Sequence, residues 1–186
     1  SSISAVDGGK CIDTSMGFTP LAGVPMGTRS GDIDAAAVEF LCRKKGMNIH
    51  DGLTYLNKKC GMLGVSGVSS DYRDLTAAAK EGNYRAQLAL NMFSYACKKY
   101  VGSYMAALGG LDVIVFTAGV GENTPHIRAS ILKDMEFFGI EIDEAKNNYK
   151  NDGAIHEISK DSSRVKVLVI PTNEELVIAR ETAALL

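Results

Sequence analysis

The chain has 186 residues, 46% of them apolar, which is room for one well-filled core. Its formal net charge of −2 argues against nucleic-acid binding, a disordered tail or a polybasic membrane anchor. No apolar run approaches the roughly 20 residues of a membrane span, and Ser1 to Lys10 is polar, without the apolar stretch of a secretory signal.

Asp7-Gly8-Gly9, between Ser1–Val6 and Lys10–Ser15, signals a hairpin. The chain opens at Ser1 with residues that already read as a strand, which suggests a piece of a longer protein. Gly17 to Gly31 reads as loop. Asp32 or Asp34 should cap a helix through Lys45, stopped by Gly46. A short helix fits Asp51 to Lys59. Gly61 to Ser70, rich in glycine and serine, reads as loop, and Ser69 or Ser70 as the cap of a helix through Lys80.

Tyr84 to Leu108 is the longest periodic stretch. Leu88, Met92, Tyr95, Ala96, Tyr104, Met105 and Leu108 recur at helical steps and predict a core helix buried on most sides. Gly109-Gly110 ends it. Val113 to Phe116 is a short β-branched run expected as a buried strand. It breaks into a Gly119-Val120-Gly121 turn, and Thr124 and Pro125 should start a helix to about Phe138. Glu141 to Asp161 reads as a polar surface excursion. Val165 to Ile170 is a second strand, Pro171-Thr172-Asn173 a turn, and Glu174 and Glu175 open the last helix. The fold class is α/β, a single domain over residues 1–186 with a mixed sheet flanked by helices. Ligands of such sheets sit beyond the carboxyl ends of the strands, which puts Gly119 to Asn123 and Pro171 to Glu174 in one crevice.

The four cysteines, Cys11, Cys42, Cys60 and Cys97, are widely spaced and expected as reduced, buried thiols of a cytoplasmic protein. Three scattered histidines give no metal-ligand pattern.

A glycine turn between strand and helix lets backbone lie against a flat or charged ligand. This one lacks the Lys-Ser/Thr of the phosphate loop and the third glycine of the dinucleotide fingerprint. Arg29, in Met26-Gly27-Thr28-Arg29-Ser30-Gly31-Asp32, has a permanent charge that forks onto carboxylate or phosphate oxygens, or pairs with Asp32 or Asp34 to hold the loop. Glu174 at a strand end could hold Mg²⁺ through one carboxylate, or simply complement a helix dipole. Asp71, Tyr72 and Arg73 could flank a flat base, although Asp71 could equally be a cap. Pro20, beside Phe18 and Leu21, is either the wall of a small apolar pocket or loop packing. Together these residues suggest a nucleotide and Mg²⁺ site with an arginine for transferred phosphate.

Several longer segments make the picture specific. Asp13-Thr-Ser-Met-Gly-Phe-Thr-Pro-Leu, Met26-Gly-Thr-Arg-Ser-Gly-Asp, Gly64-Val-Ser-Gly before Asp71-Tyr-Arg-Asp-Leu, Phe116-Thr-Ala-Gly-Val-Gly-Glu-Asn and Pro171-Thr-Asn-Glu-Glu-Leu, in that order, resemble the acetate kinase family. The resemblance runs from Ser1 essentially to Leu186. It implies a ribonuclease H-like, actin-like ATPase lobe, the C-terminal one of two. It also implies ATP:acetate phosphotransfer, a cytoplasmic homodimer joined through this lobe, and Mg²⁺ with Mn²⁺ as alternative. Substrates would be ATP/ADP and acetate/acetyl phosphate, with no nucleic acid or membrane partner. On matching positions, Arg29 would be catalytic and Glu174 would hold the metal. Asp71, Tyr72 and Arg73, with Gly119, Val120, Gly121, Glu122 and Asn123, would bind the nucleotide, and Pro20 would wall the acetate pocket. The family's N-terminal lobe and its glycine-rich phosphate loop have no counterpart in these residues, so this chain alone is not expected to catalyse. Propionate kinase shares the motifs and is the near alternative; a non-enzymatic dimerisation or nucleotide-binding lobe is the alternative of another class.

Overall fold

Two glycines with positive φ, Gly8 at 53° and Gly9 at 80°, reverse the chain near its start. In the computed structural model, β1 (Ser4–Asp7) thereby pairs antiparallel with β2 (Lys10–Thr14), the register shifting between Ala5 and Val6. The structure describes residues 1–185, in one unit of Ser1–Gly110 and a second from Leu111 onward.

In the first unit, a long loop leads to α1 (Ala35–Lys45). Asp34 is its cap, accepting from the Ala36 N–H, and Gly46 stops it at φ 62°. α2 (Ile49–Lys58) starts before Asp51, because the Asn48 side chain caps it by accepting from the Asp51 N–H. The stretch from Gly61 is not loop as expected. It begins with α3 (Gly61–Ser66), which ends at Gly67. Its first amides are held by tertiary acceptors: Met62 N–H donates to the Met26 carbonyl at 2.9 Å and Leu63 N–H to that of Gly27 at 2.9 Å. Such bonds outweigh the weak propensity of a glycine-rich hexamer. α4 (Tyr72–Lys80) is capped by Asp71 rather than by Ser69 or Ser70.

α5 (Tyr84–Ala107) corrects the predicted core stripe. Its buried face is Ala86, Ala89, Leu90, Phe93, Ser94, Cys97 and Tyr104, whereas Met92 and Tyr95 are exposed. α3 and α4 both pack on α5, and the small Ala86 and Ala89 mark the side they cover. The helix is therefore covered on that side, not all round, among the described residues. Tyr72 meets Phe93 edge-on at 5.0 Å, a geometry worth about 1 kcal/mol beyond burial. All four cysteines are free, but only Cys97 is buried and Cys11 is exposed, which corrects the uniform burial expected.

In the second unit, β3 (Val113–Phe116) pairs parallel with β5 (Lys166–Val169), and β4 (His156–Glu157) pairs antiparallel on the far side of β5. The sheet is therefore mixed, in the order β3-β5-β4. β3 is an edge strand among the described residues, which leaves Val113 and Val115 exposed instead of buried. The glycine stretch after it is not an open turn but a helix, α6 (Ala118–Asn123), followed by α7 (Pro125–Leu132). A 3-10 turn at Glu136–Phe138 stops at Gly139. The polar stretch after it is not a mere surface excursion: it contains α8 (Glu144–Asn147) and β4, with Asn147, Ile158 and Ser159 buried. Ile127, Ile131, Met135, Ile158, Val165, Val167 and Val169 form the buried core of this unit, each such side chain contributing roughly 1.5–3 kcal/mol. α9 (Glu174–Ala183) is capped by Asn173 and has no buried residue.

Candidate active site

Arg29 sits on a loop clamped from both sides by main chain. Ser30 N–H donates to the Leu56 carbonyl at the end of α2, and the Thr28 and Gly27 carbonyls accept from Cys60 and Leu63 at the start of α3, all within 2.9 to 3.0 Å. The Thr28 hydroxyl adds a bond to the Asn57 carbonyl at 2.9 Å. The carboxylates that could have neutralised Arg29 are engaged elsewhere. Asp34 caps α1. Asp32 accepts from the Gly23 N–H at 2.8 Å and from the Tyr100 phenol at 2.5 Å. That hydrogen bond to Asp32, with partial burial, pushes the Tyr100 pKa up to about 12, so the phenol remains a donor at neutral pH. The side-chain contact of the Arg29 guanidinium is a weak one, Nη1 to Met26 Sδ at 3.8 Å. It lines a cleft of about 760 Å³ together with Lys58, Thr28, Thr54, Asn57 and Ser70. Two cations and several hydroxyl and amide groups around one cleft suit an anion.

Asp71 and Arg73 are tied to each other. The Arg73 Nη2 and Nε donate to the Asp71 carboxylate at 2.6 and 3.0 Å, and the Arg73 N–H does so at 2.8 Å. The side-chain bond from Arg73, with that backbone N–H, holds the Asp71 pKa down to about 2. Tyr72, between them, points the other way. Its ring is in the core against Phe93 and its hydroxyl is buried with no hydrogen-bond partner. Burial pushes its pKa up. Pro20 is exposed, as is Phe18 two residues before it.

In the second unit, Ala118 turns strand into helix with φ 57°, a left-handed conformation that costs a non-glycine residue about 1 kcal/mol. The α6 carbonyls from Gly119 to Glu122 are then each bound by a side chain. Asn123 Nδ2 donates to Gly119 at 3.0 Å, Thr124 Oγ1 to Val120 at 2.6 Å, and Arg128 Nη1 to Gly121 and Glu122 at 2.7 and 2.9 Å. The glycines differ. A Cβ on Gly121 would lie 3.2 Å from the Phe116 carbonyl carbon, so packing explains it; at Gly119 nothing lies within 4 Å. Glu122 accepts from Thr172, which joins α6 to the turn before α9. Glu174, the first residue of α9, is exposed, and its carboxylate makes no hydrogen bond or ion pair among the described residues.

Residues 1–180 match the acetokinase family. The chain belongs to this family. Over 186 residues it is 56% identical to the acetate kinase of Caldicellulosiruptor saccharolyticus, covering all of this chain and 47% of that protein. It is 59% identical over 184 residues to the acetate kinase of Acetivibrio thermocellus, covering 99% of this chain and 46% of that one. Among solved structures, Porphyromonas gingivalis acetate kinase superposes with a TM-score of 0.94 at 49% identity, over 98% of this chain and 46% of that one. A propionate kinase from Francisella tularensis superposes at 0.89 and 42% identity, over 97% of this chain and 45% of that one. The chain thus spans about half the length of the curated relatives it matches. The α/β, actin-like ATPase lobe that the resemblance implied is the fold observed.

Within this acetokinase-family chain, sequence reasoning missed the residues that brace the motifs. Arg128 and Asn147 are 19 positions apart and Tyr100 and Asp32 are 68 apart. The one local signal was Arg128 itself, a charge in the apolar frame of Ile127, Ile131 and Leu132 on α7.

Proposed function

We propose that this chain is the C-terminal lobe of an ATP:acetate phosphotransferase, which interconverts ATP and acetate with ADP and acetyl phosphate. The observation that carries this reading is the unneutralised Arg29 guanidinium in its cleft, with Asp32 and Asp34 both engaged elsewhere. In the forward direction an acetate oxygen attacks the γ-phosphorus, the bond to the ADP oxygen breaks, and a new oxygen–phosphorus bond forms. Arg29 forks onto the acetate and the phosphoryl group in flight, stabilising the spreading negative charge. Asp71, Arg73 and the backbone of Tyr72 hold adenosine, as does the segment Gly119 to Asn123. Pro20 meets the acetate methyl.

Glu174 would hold Mg²⁺, or Mn²⁺ in its place. Its free carboxylate fits an ion that keeps most of its waters and shares phosphate oxygens. Among the described residues no group of three or more acidic, histidine or cysteine side chains could enclose a metal, which suits an ion delivered with the nucleotide. When bound, the ion neutralises phosphate charge.

The full protein turns over and this chain by itself does not, because the charge clamp is shared with the rest of the polypeptide. A homodimer through this lobe is supported by the exposed Tyr84, Met92 and Tyr95 of α5. The free cysteines suit a cytoplasmic setting.

The test is Arg29→Ala in the full-length protein. Turnover should fall by about a hundred- to a thousandfold with the melting temperature kept; activity within a few-fold of wild type would remove the assigned role. Likeness to a propionate kinase favours one second reading, decided by comparing kcat/KM for acetate and propionate.

A further inference from the structure

Arg128 on α7 is 1% exposed, and no carboxylate reaches it among the described residues. Its donors go to neutral oxygens. Nη1 serves the Gly121 and Glu122 carbonyls at 2.7 and 2.9 Å, Nε the Asn147 side-chain oxygen at 2.8 Å, and Nη2 the Asn147 carbonyl at 2.7 Å. Asn147 is itself fixed by donating to the Pro125 carbonyl at 2.9 Å. The Tyr149 ring lies 5.4 Å from the guanidinium carbon, and His156 stacks on Tyr149 at 3.8 Å.

A buried charge without a counter-charge is a costly way to fill a core, since apolar side chains of the same volume usually stabilise as well or better. Four charge-assisted bonds offset the cost. Two of these bonds end on the carbonyls of α6, a six-residue helix too short to hold itself in water. α6 also follows the strained Ala118, and its Gly119 leaves open space where a side chain would stand. What the buried charge achieves is a fixed position for that backbone.

We propose that Arg128 is a positioning residue for nucleotide binding: from inside the unit, through the Gly121 and Glu122 carbonyls, it fixes the Gly119–Asn123 backbone against which a nucleoside di- or triphosphate lies. Asn147 and Tyr149 fix Arg128 in turn. This rests on the nucleotide role of Gly119 to Asn123 given above.

The experiment is steady-state kinetics of the full-length protein with Arg128→Lys, which keeps the charge but lacks the fork that reaches both carbonyls. The KM for ATP should rise about tenfold or more, with kcat within about threefold and the KM for acetate unchanged. Tyr149→Leu, which removes the ring beside the guanidinium and with it the His156 stack, should shift the same parameter about threefold, and it serves where Arg128→Lys does not fold. An unchanged KM for ATP in a folded variant overturns the proposal, as does an equal rise for both substrates. Gly119→Val is run in parallel. If it raises the KM for ATP and Arg128→Lys does not, the positioning role alone fails. If Gly119→Val has no effect, the nucleotide role of the segment fails and the proposal falls with it.

Discussion

The Glu122 carboxylate accepts both the N–H of Thr172, at 3.0 Å, and its hydroxyl, at 3.1 Å, across 50 residues of sequence. The two segments follow parallel strands paired with Phe116 opposite Val169, so the bond closes the space beyond the carboxyl ends of β3 and β5. It also commits the carboxylate to the turn before Glu174. Glu122→Ala in the full protein should loosen that turn and raise the Mg²⁺ concentration needed for half-maximal rate by about fivefold, matching roughly 1 kcal/mol for a half-exposed pair of bonds. The KM for acetate should not move. A Mg²⁺ titration of initial rates reads this directly, and an unchanged curve would detach Glu122 from the metal.

Gly119 and Gly121 should respond oppositely to one substitution. Gly121→Val drives a side chain into Phe116, 3.2 to 3.5 Å from an added Cβ, and should cost about 1–3 kcal/mol of stability. Gly119→Val enters open space on a helix, where valine is slightly better than glycine. Its melting temperature should hold or rise while ADP affinity falls about tenfold or more, consistent with a few lost close contacts. Thermal melts and calorimetric titration of both variants separate fold from ligand.

Tyr72→Phe should stabilise the protein or leave it unchanged. The phenol oxygen is buried without a partner, a state that costs about 1–3 kcal/mol, whereas the ring contact with Phe93 would survive. ADP affinity should stay the same, since the ring faces the core. A loss of ADP binding with intact stability would show that the ring leaves the core when nucleotide arrives.

Asp71 gives a pH signature. Its pKa is lowered to about 2 by the Arg73 side chain and N–H, so its stabilising role at the start of α4 is fully present above the unfolded value of about 4. That contribution fades as pH falls towards 2. Carboxyl NMR titration should find its midpoint near 2 in the native protein and nearer 4 in Arg73→Ala.

Much of the fold was readable because the controlling chemistry is local. Asp7-Gly8-Gly9 makes its hairpin, Gly46 stops α1, and Glu174 opens α9. The short helices α3 and α6 were not readable. Each is a glycine-rich hexamer, and what makes it helical is a set of acceptors or donors far away in sequence: the Met26 and Gly27 carbonyls for one, Arg128 for the other. The buried face of α5 depended on which side α3 and α4 would cover, a choice that apolar periodicity on a nearly all-round apolar helix does not encode. Of the candidate site, the Arg29 and Gly119 segments announce themselves by glycine spacing, but the orientation of Tyr72 into the core does not follow from Asp-Tyr-Arg.

The Arg29 loop is held mostly by main-chain atoms, with the Thr28 hydroxyl and the Asp32 carboxylate added, and main-chain atoms are common to nearly every residue type. Neighbours such as Ser30, Cys60 and Leu63 supply amides or carbonyls there that almost any replacement would supply too. Gly23, Gly31 and Gly61 have no such latitude. All three have positive φ, and at each an added Cβ would collide with a carbonyl of the loop or of its neighbours. Mutational drift around this arginine should therefore be generous at Ser30, Cys60 and Leu63, narrow at Thr28 and Asp32, whose side chains brace the loop, and nearly forbidden at the three glycines. What descendants of this sequence have to inherit is a pattern of vacancies.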